Sequence, residues 1–374
     1  MHLSCERNLL KNAIDQVSKA ISTKQTLPIL GNVLLEAKDN QLKLTASSLD
    51  IGITSTIPVE EIREVGSTTC SAKMLADITN NLPNGLVNLD IDSGISSEIT
   101  VSNSFSTFKI ATLSSEEFPQ SILPKDDNSI VMDSNDFCDL VNKAIIAAAD
   151  PTESRPIMQG ISVVFDKENI VMVSTDGKRL SKVVYEHANN NETPNQIVIP
   201  AKPLTDLLKI LDKDNEIKIS YTKTHFFAVC GNMSFFCKLI EGTYPDYERV
   251  IPKECNSICR IGRESLIAAI KRVIIMAKER DIINGIKFNF ENDTVTLTSE
   301  TSSVGSAEEK IAVVYQGEPL LIGFNGTYIM DALRVLDSDE IIIELRDGKS
   351  GITIRNKEND NSFLYICMPL RLFR

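Results

Sequence analysis

The sequence predicts an α+β chain made of three tandem copies of one domain, each an antiparallel sheet with two helices on a single face. Three recurrences predict it. A turn glycine opens a strand pair at Gly31, Gly160 and Gly285, within "TLPILGNVLLEAKDNQLKLTASSLD", "RPIMQGISVVFDKENIVMVSTDGKRL" and "DIINGIKFNFENDTVTLTSETSS". A strand, helix, turn and strand recur as "TTCSAKMLADITNNLPNGLVNLDI", "IVIPAKPLTDLLKILDKDNEIKIS" and "LLIGFNGTYIMDALRVLDSDEIIIEL". A closing phrase, "FKIATLSSEEFP", "SFFCKLIEGTYP" and "SFLYICMP", sets Pro119, Pro245 and Pro369 at matching places. Solenoid repeats run to about 20–50 residues; this period is much longer, so each copy is a domain. The expected domains are 1–125, 129–252 and 256–374, with the polar stretches "LPKDDNSI" and "IPKECNSI" as linkers.

Each copy opens with an amphipathic helix. The first is expected from Glu6 to Ile21, with Leu9, Leu10, Ala13, Ile14 and Val17 on one face. The second starts at a Ser134-Asn135 cap and turns Phe137, Leu140, Val141, Ala144 and Ile145 inward. The third runs from about Arg263, with Leu266, Ile267, Ile270 and Ile274 inward. Apolar residues three and four apart mark this periodicity. The segments between alternate apolar and polar residues and end in Asp, Asn or Gly turns. "QLKLTAS", "ITVSN", "DTVTLTS" and "GITIRN" read as half-buried antiparallel strands. Helices greasy on one side only belong on one face of the sheet.

Composition narrows the function. No apolar run is long enough to span a bilayer, and "MHLSCERNLLKNAID" lacks the pattern of a signal peptide, so a cytoplasmic protein without membrane contact is expected. The eight cysteines show no CxxC; Cys255 and Cys259, spaced CxxxC, match zinc ligands poorly. Reduced, mostly buried thiols are expected, with no metal and no cofactor. His2, His187 and His225 form no HExxH-type pair.

The formal net charge is -12, which by itself argues against phosphate binding. Its distribution argues otherwise. The helices offer Arg7, Lys11, Lys19, Lys73, Lys143, Lys202, Lys209, Lys271, Arg272 and Arg334 on their polar faces. The acids gather in loops and strand edges, such as Glu60, Glu61, Glu64, Glu116, Glu117, Asp126, Asp127, Glu308 and Glu309. Six mildly basic helices in an acidic protein point to one shared surface.

The three repeats, with "TLPILGN", "STDGKRL", "EGTYPDYERVIP" and a C-terminal "YICMPLRL", resemble the bacterial DNA sliding clamps, the beta subunit of replicative DNA polymerase III. The resemblance covers the whole chain. It implies the DNA clamp fold and a head-to-tail ring of two chains around double-stranded DNA, giving the polymerase processivity. It implies no intrinsic active site, only an accessory subunit of a nucleotidyltransferase. Twelve helices packed about 10 Å apart would make a circle of about 120 Å, with opposed axes about 38 Å apart. Removing about 5 Å per side for the helix radius leaves an opening of about 28 Å. Duplex DNA, about 20 Å across, passes with room for water. Weakly basic helices can steer phosphates there without reading bases.

Family motifs place the remaining sites. The partner-peptide cleft would use Met158, Thr175, Gly177, Lys178, Arg179, Leu180, Pro245, Arg249 and Val250. The tail adds Ile366, Met368, Pro369, Leu370, Arg371 and Leu372. Partners would be the replicative polymerase subunit, the clamp loader and repair polymerases, docking through short linear motifs. Met and Leu walls adapt to several apolar anchors, and Arg179 and Arg249 would bond peptide carbonyls or carboxylates. A micromolar site corresponds to about -8 kcal/mol, weak enough for exchange. Lys24, Lys73 and Lys202 match DNA-facing positions. Phe108 and Ile110 on one chain, Ile275 and Met276 on the other, match the dimer contact, where an unpaired strand edge invites strand addition. The chain departs from the family at Pro156-Ile157, where some members carry two aromatics, at Lys178, a frequent His, and at the added Phe373-Arg374. Two other readings compete. One is a hydrolase or transferase using carboxylates such as Asp176; against it, the sequence has no phosphate loop, nucleophile elbow or His-centred arrangement. The other is a repeat scaffold with no DNA role.

Overall fold

The computed structural model describes residues 1–21, 27–91, 98–119, 122, 129–152, 155–187, 195–277, 284–301, 305–358 and 360–370. Six helices follow strands directly: α1 (Arg7–Val17), α2 (Ala72–Asn81), α3 (Ser134–Ile145), α4 (Ala201–Leu208), α5 (Arg263–Val273) and α6 (Gly326–Val335). The first is shorter than its periodicity suggests: regular turns stop at Val17, and Ser18–Ala20 tighten into a 3-10 turn. Leu9 is exposed rather than inward. Leu10, Ala13, Ile14 and Val17 alone make the buried stripe. For α3 the cap is Asp133, whose carboxylate accepts the Asn135 backbone N–H at 2.7 Å.

Arg7 does not face solvent as its helix position suggests. It donates to the Thr79 and Asn80 carbonyls at 2.7 and 2.9 Å, satisfying the C-terminal end of α2. Arg263, at the start of α5, does the same at the end of α6 through the Leu333 and Ser338 carbonyls. A cation at a helix C-terminus also meets the negative end of its dipole. The first and third copies therefore share one device for locking their two helices together.

The strands form two compact units. One contains Met1–Phe137 and Lys202–Leu239. Its sheet of 13 strands starts with Ser129–Asp133, Glu216–Tyr221, His225–Cys230 and Met233–Lys238 and continues into the strands of the first copy. The joint is the antiparallel pair Met233–Lys238 with Ile51–Pro58, in which Phe236 faces Gly52. A side chain at Gly52 would overlap the Phe236 ring; the missing Cβ makes room for it. The hairpin turn at Asp39-Asn40 holds both residues at positive φ, as a two-residue hairpin turn requires.

The other unit contains Cys138–Ala201 and Ile240–Arg374. Its sheet of nine strands joins the central copy to the last through Arg179–Glu186 against Phe363–Cys367. A separate sheet of four strands runs Gly305–Ala312, Thr294–Thr301, Gly285–Glu291 and Leu320–Asn325. Each compact unit thus takes in strands from two sequence repeats, because strand pairing carries the sheet across the junction between copies.

None of the eight cysteines forms a disulfide, and all but Cys255 are buried. Burial pushes the Cys5 and Cys70 thiols up to about 12, which leaves them protonated and unreactive at neutral pH. Among the described residues no cluster of His, Cys, Asp or Glu could hold a metal. No described helix is long and apolar enough to cross a membrane.

Candidate partner cleft and helix surface

The turn between Asn169–Thr175 and Arg179–Glu186 organises the proposed cleft. Asp176 accepts the backbone N–H groups of Lys178 and Arg179 at 2.8 and 3.0 Å. Thr175 Oγ1 accepts from Gly177 N at 3.0 Å and donates to the Arg179 carbonyl at 2.7 Å. Gly177 turns the chain with φ at +84°, a conformation open to glycine at little cost. Thr175 N donates to the Tyr244 hydroxyl at 3.1 Å, fixing the turn from beneath. Burial raises the Tyr244 phenol far above its ordinary range, so it stays neutral.

Arg179 is the hub, and its chemistry differs from expectation. Its Nε donates to Asp176 at 3.0 Å and its Nη1 to Asp331 of α6 at 2.7 Å. The guanidinium also lies 4.2 Å from the centroid of the Tyr328 ring. Burial works against its charge, but Tyr365, Asp331 and Asp176 outweigh that and raise its affinity for the proton. These donors are committed inside the unit, so Arg179 holds the site in shape rather than reaching for a partner's carboxylate. By the same interactions Asp176 is a staple of the turn, not a catalytic carboxylate.

The other cleft residues sort by exposure. Leu180 and Ile366 are buried in a core with Val173, Val198, Tyr244 and Leu364; they form a floor, not an open wall. Thr175 is buried, Gly177 and Lys178 are exposed, and Met158 is half-buried. The Met158 methyl packs over Gly177. Pro245 is half-buried, while Val250 is 54% exposed at the end of the short helical turn Tyr247–Val250. Arg249 is exposed and pairs with Asp246 at 2.6 Å. Met368 is 40% exposed and its N–H donates to the Lys178 carbonyl at 2.8 Å. Pro369 and Leu370 are half-buried, and Leu370 N donates to the Gly323 carbonyl at 2.8 Å. Arg371 and Leu372 lie outside the described residues.

The turn, the tail and the Tyr247–Val250 segment therefore belong to one unit. Sequence reasoning missed Asp331, Tyr328, Tyr365 and Tyr244. No local signal in the chain marks the first three, which reach Arg179 only through tertiary packing.

On the helices, Lys73 and Lys202 are both exposed at the second residue of α2 and α4. They hold the same position of the repeat, where the third copy has Thr327. Lys24 lies outside the described residues. Lys143 is not part of an open cationic surface: it is buried and bonded to Asp139 and Asp337 at 2.7 and 2.9 Å. Arg272 turns to Glu309 in a bidentate pair at 2.7 and 2.9 Å.

Among the described strands, two open edges lie in the first and last copies at the positions singled out for the contact between chains. Thr107–Leu113 pairs with Glu98–Ser102 on one side, while its other side meets Thr69-Cys70 only at Leu113 and Thr112. Among the described residues Gly305–Ala312 pairs only with Thr294–Thr301. Phe108 stands partly exposed at the first edge. Ile110 does not: it is 1% exposed, opposite Ile99, within its own core. Strand alternation puts both residues on one face, but the core covers only the second, so Ile110 is no candidate for direct contact. Ile275 is 58% exposed and Met276 half-buried, on a turn packed against Gly305–Ala312.

These sheets, helix pairs and site define a protein of three like domains, and each third matches a family model. Residues 1–123, 131–246 and 248–371 match the N-terminal, central and C-terminal domains of the DNA polymerase III beta subunit. A beta sliding clamp from Staphylococcus epidermidis is 30% identical, with both chains covered in full. One from Vibrio cholerae is 29% identical, again over all of both chains. A crystal structure of the sliding clamp from Pseudomonas aeruginosa, bound to griselimycin, superposes with a TM-score of 0.93 at 27% identity, covering all of both chains. The chain belongs to the beta sliding clamp family, the beta subunits of DNA polymerase III. As a member of that family it is a replication accessory subunit and not itself catalytic.

Proposed function

We propose that two copies of this chain close head to tail into a ring around duplex DNA and hold the replicative polymerase on its template in the cytoplasm. The observation that carries this is the pair of open strand edges, Thr107–Ala111 in the first copy and Gly305–Ala312 in the last. Joined between copies, they continue a sheet in the same way that Ile51–Pro58 and Arg179–Glu186 continue it within the chain. The repeats correspond to domains 1–125, 129–252 and 256–374. Lys73 and Lys202 would face the DNA from equivalent helices and meet phosphates without reading sequence. Retention is then topological, and the acidic remainder of the protein disfavours binding elsewhere.

The surface of Met158, Gly177, Val250, Met368 and Leu370, over the Leu180 and Ile366 floor, takes an apolar anchor of a short partner peptide. The polymerase subunit, itself the nucleotidyltransferase, the clamp loader and repair polymerases share this site in turn. The P. aeruginosa relative with griselimycin bound supports a ligand-accepting surface in the family.

The test has two parts. Sedimentation of the purified chain should give the mass of two copies. Once loaded, the protein should stay on closed circular DNA at high salt and run off after linearisation. Equal retention on both forms would contradict topological holding.

A further inference from the structure

The hairpin Asn103–Ser106 presents Phe105 with 90% of its surface exposed. The turn is not loose. Asn103 Oδ1 accepts the N–H groups of Phe105 and Ser106 at 2.9 and 2.8 Å, and Asn103 N donates to the Ser106 carbonyl at 3.0 Å. This Asx turn fixes the backbone from which the ring projects. Single exposed apolar residues are ordinary. Phe105 differs by its surroundings: Phe108, also partly exposed, stands three residues on, where the open edge Thr107–Ala111 begins.

The second open edge, Gly305–Ala312, has its own exposed apolar residue beside it, Ile275 on the turn Ile274–Met276. Charge differs between the two edges, though each ion is already paired within the chain, Lys109 with Glu98, Glu309 with Arg272 and Glu308 with Lys310. Thr107–Leu113 carries one ionic residue, Lys109, whereas Gly305–Ala312 carries Glu308, Glu309 and Lys310. An edge that must find one partner strand benefits from a preset aromatic anchor, since aromatic residues dominate interface energetics and lose little entropy on ordering.

We propose that Phe105 is an anchor of the contact between copies, packing with Phe108 against the Ile275 turn of a second copy. This rests on the ring reading and replaces Ile110, which faces the core, as the second residue of that contact. Phe105→Ala and Phe105→Asp in the full chain, followed by sedimentation across a dilution series, provide the test. Leu49→Asp, at another exposed apolar position, is the control. The dissociation constant of the dimer should rise about tenfold for Phe105→Ala and further for Phe105→Asp. Thermal unfolding of the dissociated chain should be unchanged, and Leu49→Asp should dimerise normally. If the unmodified chain is a dimer and both Phe105 variants dimerise with an unchanged dissociation constant, the inference is overturned and the ring stands. An unmodified chain that sediments as a monomer throughout would overturn both.

Discussion

Arg179 donates to Asp331 over 2.7 Å, tying the turn of a central-copy strand to helix α6 of the last copy. The same guanidinium holds Asp176 and covers the Tyr328 ring. Removing it takes the cation from Asp176 and leaves Asp331 with Arg334 alone, at 3.5 Å. Arg179→Ala is expected to cost about 3 kcal/mol of stability, as when one partner of a largely buried pair is lost. Peptide binding should weaken with it, through the turn. Arg179→Lys keeps the charge but neither the fork nor the stacking, so it should fall between. Chemical denaturation alongside peptide titration checks this; loss of affinity with no loss of stability would show that Arg179 contacts the peptide directly.

Val250 separates binding from folding in the other direction. It is exposed, so Val250→Asp should leave thermal unfolding within about 0.5 kcal/mol of the parent. If the proposed docking surface is correct, the charge placed there should lower peptide affinity by about tenfold or more. Fluorescence polarisation with a labelled polymerase-tail peptide measures it.

Ile275→Arg should convert the dimer to monomers without lowering the stability of the folded chain. The side chain lies beside the open edge and packs little within its own copy. A sedimentation profile matching the parent would count against the contact.

Gly52→Ala should destabilise the unit containing it by about 1–3 kcal/mol, the usual range for overpacking, because the added methyl meets the Phe236 ring. In register, Gly52 opposite Phe236 corresponds to Leu180 opposite Ile366. At the first junction the aromatic ring fills the space over the glycine.

His225 gives a dependence on pH. Burial and then Lys238 lower its affinity for the proton below the ordinary 6.5. The unfolded chain therefore takes up the proton first as pH falls through about 6.5, and the folded chain follows at lower pH. Stability should be flat above that pH and decline below it. Urea midpoints for the parent and His225→Phe, compared across this window, should show a shallower decline in the variant.

Local patterns made much of the fold readable. The stripe Leu10, Ala13, Ile14 and Val17 gave α1, and Asp39-Asn40 gave its hairpin turn. "STDGKRL" marked the cleft only through its resemblance to the family motif. Contacts far apart in sequence were not readable. Asp331 and Tyr328 reach Arg179 across about 150 residues, so a free-looking arginine proved to be committed. Ile110 and Phe108 have the same alternation, and only the extent of the core distinguishes them. Arg7 and Lys143 read as solvated cations, yet one closes a helix end and the other bridges Asp139 and Asp337.

The pairing of Arg179–Val183 with Phe363–Cys367 also bears on what a cut in the chain would do. The exposed segment Lys253–Asn256 is the covalent bridge between the central and last copies, but five backbone register pairs and the Arg179–Asp331 bond would survive its cleavage. A protease nick there should yield two fragments that migrate together until denatured, and separately expressed pieces should find each other and reassemble.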